Sequence, residues 1–115
     1  MLETVRMDRG IKVNAHTGIA ATTTSMEIDS KGHNAIILYF IITAGSGTWT
    51  IKIQGKSPLG TFVDMYDLNG NLMAISSVTA NKAMQFVGIP NNFKIVATED
   101  VNGATVNVGY ELMSV

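Results

Sequence analysis

Residues 35–44 read AIILYFIITA, an apolar stretch in a chain otherwise rich in Thr, Asn, Ser and Gly. As a helix, ten residues would span about 15 Å, half of a hydrocarbon core of about 30 Å, which excludes a membrane-spanning helix. Its β-branched and aromatic residues favour a strand instead. The GSG at residues 45–47 predicts a tight turn directly after that strand.

The predicted strand is apolar on both faces. Only one face of a strand in a two-layer sandwich meets the core, so the other face must be covered by something else. Two candidates are an N-terminal arm and another subunit. The even-numbered face holds Ile36, Leu38, Phe40 and Ile42, and the odd-numbered face, which we take as the predicted interface, holds Ile37, Tyr39 and Ile41.

Other strands follow from alternation of apolar and polar residues. GTWTIKIQGK (47–56) and ATVNVGYELMSV (104–115) alternate with a period of two. The segment 72–83 is poor in helix formers and is interpreted as strand plus loop. Weaker strand candidates are residues 4–7, 11–15, 24–28, 61–66, 82–87 and 93–98, and turns are predicted at Asn69-Gly70, at Asn102-Gly103 and in IPNN (89–92).

About eight short strands separated by turn residues predict an all-β fold, an antiparallel β-sandwich of the jelly-roll or immunoglobulin-like kind. At 115 residues and 12.3 kDa the chain fits a single domain, residues 1–115. Residues 1–20 are predicted to form either an N-terminal arm or an edge hairpin. The composition, 46% hydrophobic and 15% charged, is that of a folded protein.

Charge and cysteine content narrow the possible partners. Eight Lys and Arg residues are scattered along the chain against nine Asp and Glu, so no nucleic-acid partner is expected. The absence of cysteine excludes disulfides, thiolate metal sites and cysteine nucleophiles. MLETVRMDRGIK at the N-terminus has no apolar core of the length that a signal peptide needs, so secretion by that route is not expected, nor is a membrane partner.

Phosphate-binding and metal motifs are incomplete. Gly55-Lys56-Ser57 resembles the end of a phosphate-binding loop, but Thr50 stands where that loop needs a glycine, and Pro58 opposes a following helix. A hairpin loop is the better interpretation. The histidines, His16 and His33, have no ligand partner at zinc-binding spacing.

A calcium loop is suggested weakly by Asp64, Asp67 and Asn69. Ser76 occupies the position where such a loop requires a glutamate, so a turn rich in Asp and Asn is favoured. Trp49 lies on the apolar face of its strand and is predicted to be core, while Tyr66 and Phe62 are weak candidates for sugar stacking.

No serine lies in a nucleophile elbow, and the carboxylates form no specific pair. We therefore predict no catalytic, cofactor-binding or metal-binding residue and no enzymatic activity.

Two longer runs carry a family resemblance. GTWTIKIQGKSPLGTFVDMYDLNG (47–70) and QFVGIPNNFKIVATEDVNGATVNVGYELMSV (85–115) resemble small virion proteins of tailed bacteriophages, in their IQG, TFVD, V-G-I-P, FKIVAT and GATV segments. The resemblance covers roughly residues 34–112. It implies an antiparallel β-sandwich that serves in head decoration, as a head fibre or in the tail.

The resemblance also implies a way of working. Such a protein would be synthesised in the host cytoplasm, form a homo-oligomer, possibly a trimer, and dock on other virion components such as the major capsid protein. The alternative is a carbohydrate-binding or host-recognition module of a phage or bacterial surface assembly, using residues 56–60 and 66–71.

Overall fold

A computed structural model of the protein describes residues 21–25 and 27–115, and of residues 11–19 the backbone alone. These residues form strands and turns with no helix among them, in two antiparallel sheets. The all-β fold predicted from the sequence is confirmed. The strands are β1 (Ile11–Ile19), β2 (Thr23–Thr24), β3 (Ile28–Asp29), β4 (Ala35–Gly45), β5 (Thr48–Lys56), β6 (Phe62–Asp64), β7 (Ala74–Val78), β8 (Lys82–Val87), β9 (Asn92–Val101) and β10 (Ala104–Met113).

The four-stranded sheet has the order β1-β10-β4-β8, so the apolar stretch at residues 35–44, which lies in β4, forms an interior strand. The six-stranded sheet has the order β2-β9-β5-β6, with β3 pairing with β9 and β7 pairing with β5. Strands that follow each other in sequence mostly lie in different sheets: β4 leads to β5, and β9 leads to β10. The longest strands pair within their own sheets, β4 with β10 and β5 with β9.

These two pairs form one ribbon that folds over from one sheet to the other. Gly45 pairs with Ala104 on one side of the corner, and Thr48 pairs with Val101 on the other. The sequence correctly places tight connections at Gly45–Gly47 and at Asn102-Gly103. However, each connection joins the two sheets, because the strands it links pair with other strands and not with each other.

The core lies between the sheets and is built by alternation. On β5, Trp49, Ile51 and Ile53 are fully buried, as the period of two predicts. On β10, alternate residues from Val106 to Leu112 face the same core. The largest fully buried side chains are Trp49, Phe40, Phe93, Ile36, Leu38, Ile51, Ile53, Ile75, Ile95, Leu112, Val106 and Val108.

Some boundaries differ from the sequence prediction. Residues 24–28 form two separate short strands, β2 and β3, and β9 and β1 extend beyond the predicted 93–98 and 11–15. β8 has the predicted bounds. The predicted strand at residues 4–7 lies outside the described residues. None of the described residues forms a helix of the length and apolarity that a membrane crossing requires.

Candidate assembly surface

Strand β4 presents one face to the core and the other outward. Ile36, Leu38 and Phe40 are fully buried between the sheets. Ile37 and Tyr39 point to the opposite side and are half-buried, and Ile41 is 39% exposed. The prediction that one face of AIILYFIITA packs in the sandwich core is confirmed. The outward set, Ile37, Tyr39 and Ile41, is called here the outer β4 face.

The neighbouring strands place small or polar residues beside the outer β4 face. Tyr39 lies between Gly109 of β10 and Ala83 of β8, which offer little side-chain area to cover its ring. Ile37 lies between Glu111 and Gln85 in the same way. The apolar side chains therefore stand out from a sheet surface that the described residues cover only partly.

A hydrogen bond between Tyr39 and Glu111 anchors this face. The Tyr39 hydroxyl donates to Oε1 of Glu111 over 3.1 Å, diagonally across β4 and β10. Glu111 is only 5% exposed, although it points away from the core. Such a bond to a shielded carboxylate holds the tyrosine ring against the sheet, so the outer face has a fixed shape. The sequence places Glu111 on the outward side of β10 but gives no sign that it is shielded there.

The outer face of the six-stranded sheet is different in character, because charged side chains cover it. Lys52 Nζ lies 3.0 Å from Asp64 Oδ1, and Gln54 Nε2 donates to the same oxygen over 2.9 Å. The hydrogen bonds from Gln54 and Lys52, with the charge of Lys52, lower the pKa of Asp64. Lys94 Nζ lies 4.3 Å from the centre of the Phe62 ring. The charged side chains on the outer face of the six-stranded sheet thus have interaction partners within the chain, so this face does not require another protein to cover it.

The remaining candidate motifs are structural. Gly55-Lys56-Ser57 ends β5 and leads into a turn closed by the bond from Ser57 N–H to Thr61 C=O, 2.8 Å, so the hairpin interpretation is confirmed. Asp67 Oδ1 accepts hydrogen bonds from the backbone N–H groups of Asn69 and Asn71, at 2.8 and 2.9 Å, which confirms the predicted turn. Trp49 is core, as predicted.

Metal-binding residues do not gather in the part of the chain that is described, where no three His, Cys, Asp or Glu side chains meet. His33 Nδ1 lies 3.0 Å from Ser114 Oγ, and His16 falls in β1, of which only the backbone is described. Of the aromatic candidates for sugar stacking, Phe62 is covered by Lys94, whereas Tyr66 is 57% exposed.

The fold and the outer β4 face together define a class: a small antiparallel β-sandwich with one apolar strand turned outward. Among solved structures, the chain is similar to the SPBc2 prophage-derived protein YomS, with a TM-score of 0.64 and 14% sequence identity over 99% of this chain and 100% of that chain. At this identity the likeness shows a shared fold. An arabinose-bound α-L-arabinofuranosidase, MgGH51, aligns with a TM-score of only 0.36 at 16% identity, over 90% of this chain and 18% of that enzyme. No family model and no curated protein matches the sequence.

Proposed function

We propose that this chain is a non-enzymatic structural protein of a bacteriophage virion. It associates with copies of itself and docks on a larger virion component, such as the major capsid protein, as a capsid decoration or a minor head or tail protein. Its synthesis takes place in the host cytoplasm and its final location is the virion. No chemical step is part of this function.

The outer β4 face is the observation that carries the proposal. In a strand with one face on the core and the other in water, residues alternate between apolar side chains that face the core and polar side chains that face the water. Ile37, Tyr39 and Ile41 break that pattern, and the outer face of the six-stranded sheet keeps it. An exposed apolar strip at the centre of a sheet is typical of a protein-binding surface, because a bound partner shields its side chains from water.

The fold supports a phage setting. YomS, which shares the fold along the whole length of both chains, is prophage-derived. The resemblance of residues 34–112 to small virion proteins points the same way. Because one fold can host many functions, this support adds to the surface argument and does not replace it.

Light scattering with charged variants tests the assembly surface. Tyr39→Lys and Ile41→Lys each place a charge on the outer β4 face, so we expect the oligomer of the unmodified protein to dissociate while the thermal unfolding transition persists. Val96→Lys is the matched control, because Val96 is a half-buried apolar residue on the outer face of the other sheet. A stable monomer of the unmodified protein at micromolar concentration would contradict the proposal.

The virion location has its own test. Mass spectrometry of purified particles of the encoding phage should detect the chain in a fixed ratio to the major capsid protein. Image reconstruction should then place a β-sandwich of this size on the head or the tail. Particles that lack the chain would refute the virion role.

A second candidate function is glycan binding by the loop that follows β6, favoured by the exposed ring of Tyr66. Binding to host-surface polysaccharides that Tyr66→Ala abolishes, with the oligomer unchanged, would favour this function. If no host polysaccharide binds, the candidate is rejected.

A further inference from the structure

The two sheets differ in how their edges are protected. In the six-stranded sheet, one edge consists of β2 and β3, each of two residues. The other consists of the three-residue β6 and of β7, whose pairing shifts register where Ser77 has a φ of 50°. In the four-stranded sheet, β1 shifts register twice along β10. Short and irregular edges resist the addition of another strand.

Strand β8 is the exception. It pairs with β4 without a register shift from Ala35↔Val87 to Phe40↔Lys82. Its sequence, KAMQFV, has one charge and no proline. Among the described residues, no strand pairs with its other side. A regular, weakly charged edge of this kind is a template for a further strand.

The ladder fixes which backbone groups face that open edge. Gly88 N–H donates to Asn34 C=O over 2.7 Å, one step beyond the β4–β8 pairs and in the same register. Hydrogen-bonded and non-hydrogen-bonded pairs alternate along an antiparallel ladder, so Phe86, Met84 and Lys82 bond to β4. The N–H and C=O groups of Ala83, Gln85 and Val87 therefore point away from β4, toward the open edge.

We propose that β8 of a second copy occupies this edge, antiparallel to the first and related to it by a twofold axis through Gln85. In this register Gln85 pairs with Gln85, and Ala83 pairs with Val87 on either side. Two hydrogen bonds form in each of these three pairs, so all the outward-directed N–H and C=O groups of Ala83, Gln85 and Val87 acquire partners. The two four-stranded sheets become one sheet of eight.

The side chains fit the same register, which is why the occupant is a second copy. On the outer face, Ala83 meets Val87, which is 52% exposed in the single chain. The Gln85 amide carries both donor and acceptor groups and so suits a second Gln85. The single charge of β8, Lys82, lies opposite Gly88 and not opposite another lysine.

A register centred on Met84 fits less well. It joins Ala83 to Gln85 and places Val87 opposite Asn81, beyond the start of β8, so the end of the strand has no strand partner. Of these two registers, only the one centred on Gln85 gives a hydrogen-bond partner to every outward-directed N–H and C=O group of β8.

The pairing of two β8 strands gives a structure for the self-association in the proposed function. It rests on the proposed function only for its role in the virion. Because opposite residues share a face of the sheet, both outer β4 faces lie on the same side of the eight-stranded sheet. Their β4 strands are separated by three strand spacings, about 14 Å. The dimer thus presents two apolar strips in one plane, through which dimers associate further and dock on a larger component, so Tyr39→Lys should reduce the oligomer to this dimer and not to monomers.

Two charge variants test the register. Ala83→Lys with Val87→Lys sets like charges opposite each other across the twofold axis, and Ala83→Lys with Val87→Glu sets opposite charges there. Both positions are exposed in the single chain, so both variants keep the monomer fold. By sedimentation equilibrium we expect the first variant to dimerise more weakly by on the order of tenfold or more, and the second to remain a dimer.

Equal dimerisation by both variants would overturn the register, and an unmodified protein that stays monomeric would overturn the pairing itself. A stable monomer would also contradict the self-association in the proposed function, but the virion location of the chain is tested separately, by mass spectrometry of purified particles. If Tyr39→Lys yields monomers and neither charge variant does, association runs through the outer β4 face alone, and the edge pairing is wrong while the proposed function stands.

A cross-link gives a second reading. The chain has no cysteine, so Gln85→Cys introduces a single thiol. Hydrogen-bonded antiparallel pairs have Cα atoms about 5.5 Å apart, within the range of a disulfide. Mild oxidation should join the variant into a covalent dimer at dilute concentration. Leu59→Cys, at an exposed site in the loop between β5 and β6, is the control and should stay monomeric. Equal cross-linking of both variants would count against the twofold axis at Gln85.

Discussion

Gly45 lies against the backbone of Gly103 at the corner where the long ribbon folds from one sheet to the other. A Cβ built on Gly45 would collide with the Gly103 carbonyl, and the φ of Gly45 is 72°. The close approach of these two glycines lets β4 continue into β5 at the point where β9, the partner of β5, continues into β10, the partner of β4.

Gly45→Ala should therefore be strongly destabilising. The left-handed conformation costs an alanine about 1–2 kcal/mol, and the collision with the backbone adds a similar amount. We expect the free energy of unfolding in urea to fall by about 3 kcal/mol. Gly60→Ala is the control: its φ is 90° but no atom lies within 4 Å of the new Cβ, so only the conformational cost applies. Equal losses in both variants would show that the corner does not need the close approach.

Tyr39→Phe tests the hydrogen bond that anchors the outer β4 face. The variant keeps the ring but removes the donor to Glu111, whose carboxylate is shielded from water. We expect a loss of about 1–2 kcal/mol in unfolding free energy. Tyr66→Phe, on an exposed ring, should change little. If both variants are equally stable, the Tyr39 hydroxyl does not anchor the face.

Ser77→Gly should make the protein more stable. Ser77 has a φ of 50°, a conformation that glycine adopts without steric cost. The gain is reduced by the greater freedom of glycine in the unfolded chain, which leaves about 0.5–1 kcal/mol. Ser76→Gly, one residue earlier in β7 and also exposed, should instead be destabilising by a similar amount. Thermal unfolding of the pair distinguishes the two signs, and a loss in both variants would mean that Ser77 is not strained.

The sequence predicted the faces of the strands better than their partners. Alternation in β5 and β10 placed Trp49 and Val108 in the core because a period of two is a local property. Pairing between β4 and β10 joins residues 59 to 78 positions apart, and nothing in either segment specifies that contact. The GSG and Asn-Gly connections mark sharp changes of direction, but they do not show whether the chain pairs back on itself or crosses to the other sheet.

The candidate surface was likewise predictable only in part. Residues 35–44 are long enough for one strand and apolar at both odd-numbered and even-numbered positions, which indicated an outward apolar strip at Ile37, Tyr39 and Ile41. The role of these three residues as an interface stays a prediction. The sequence could not predict that β8 lies at the edge of its sheet among the described residues, because this depends on the order of the strands in the sheet. Nor could it predict which backbone groups of β8 face away from β4, because the hydrogen bond between Gly88 and Asn34 fixes that alternation.

Alkaline pH should weaken the fold through Tyr110. Burial raises the pKa of this phenol above its usual value near 10, and its ring packs edge-on against Phe93 at 6.4 Å between centroids. The unfolded chain therefore releases the phenolic proton first. The stabilisation is complete below pH 10 and declines as the pH rises toward the higher pKa of the folded state. Tyr110→Phe keeps the ring contact and removes the ionisable group.

We expect the unfolding free energies of the unmodified protein and of Tyr110→Phe to be similar at pH 8, whereas at pH 11 the variant should be the more stable of the two. Urea denaturation at both pH values measures this difference, and Tyr66→Phe, with its exposed phenol, serves as the control. Parallel declines in all three proteins would mean that Tyr110 ionises as easily in the folded chain as in the unfolded one.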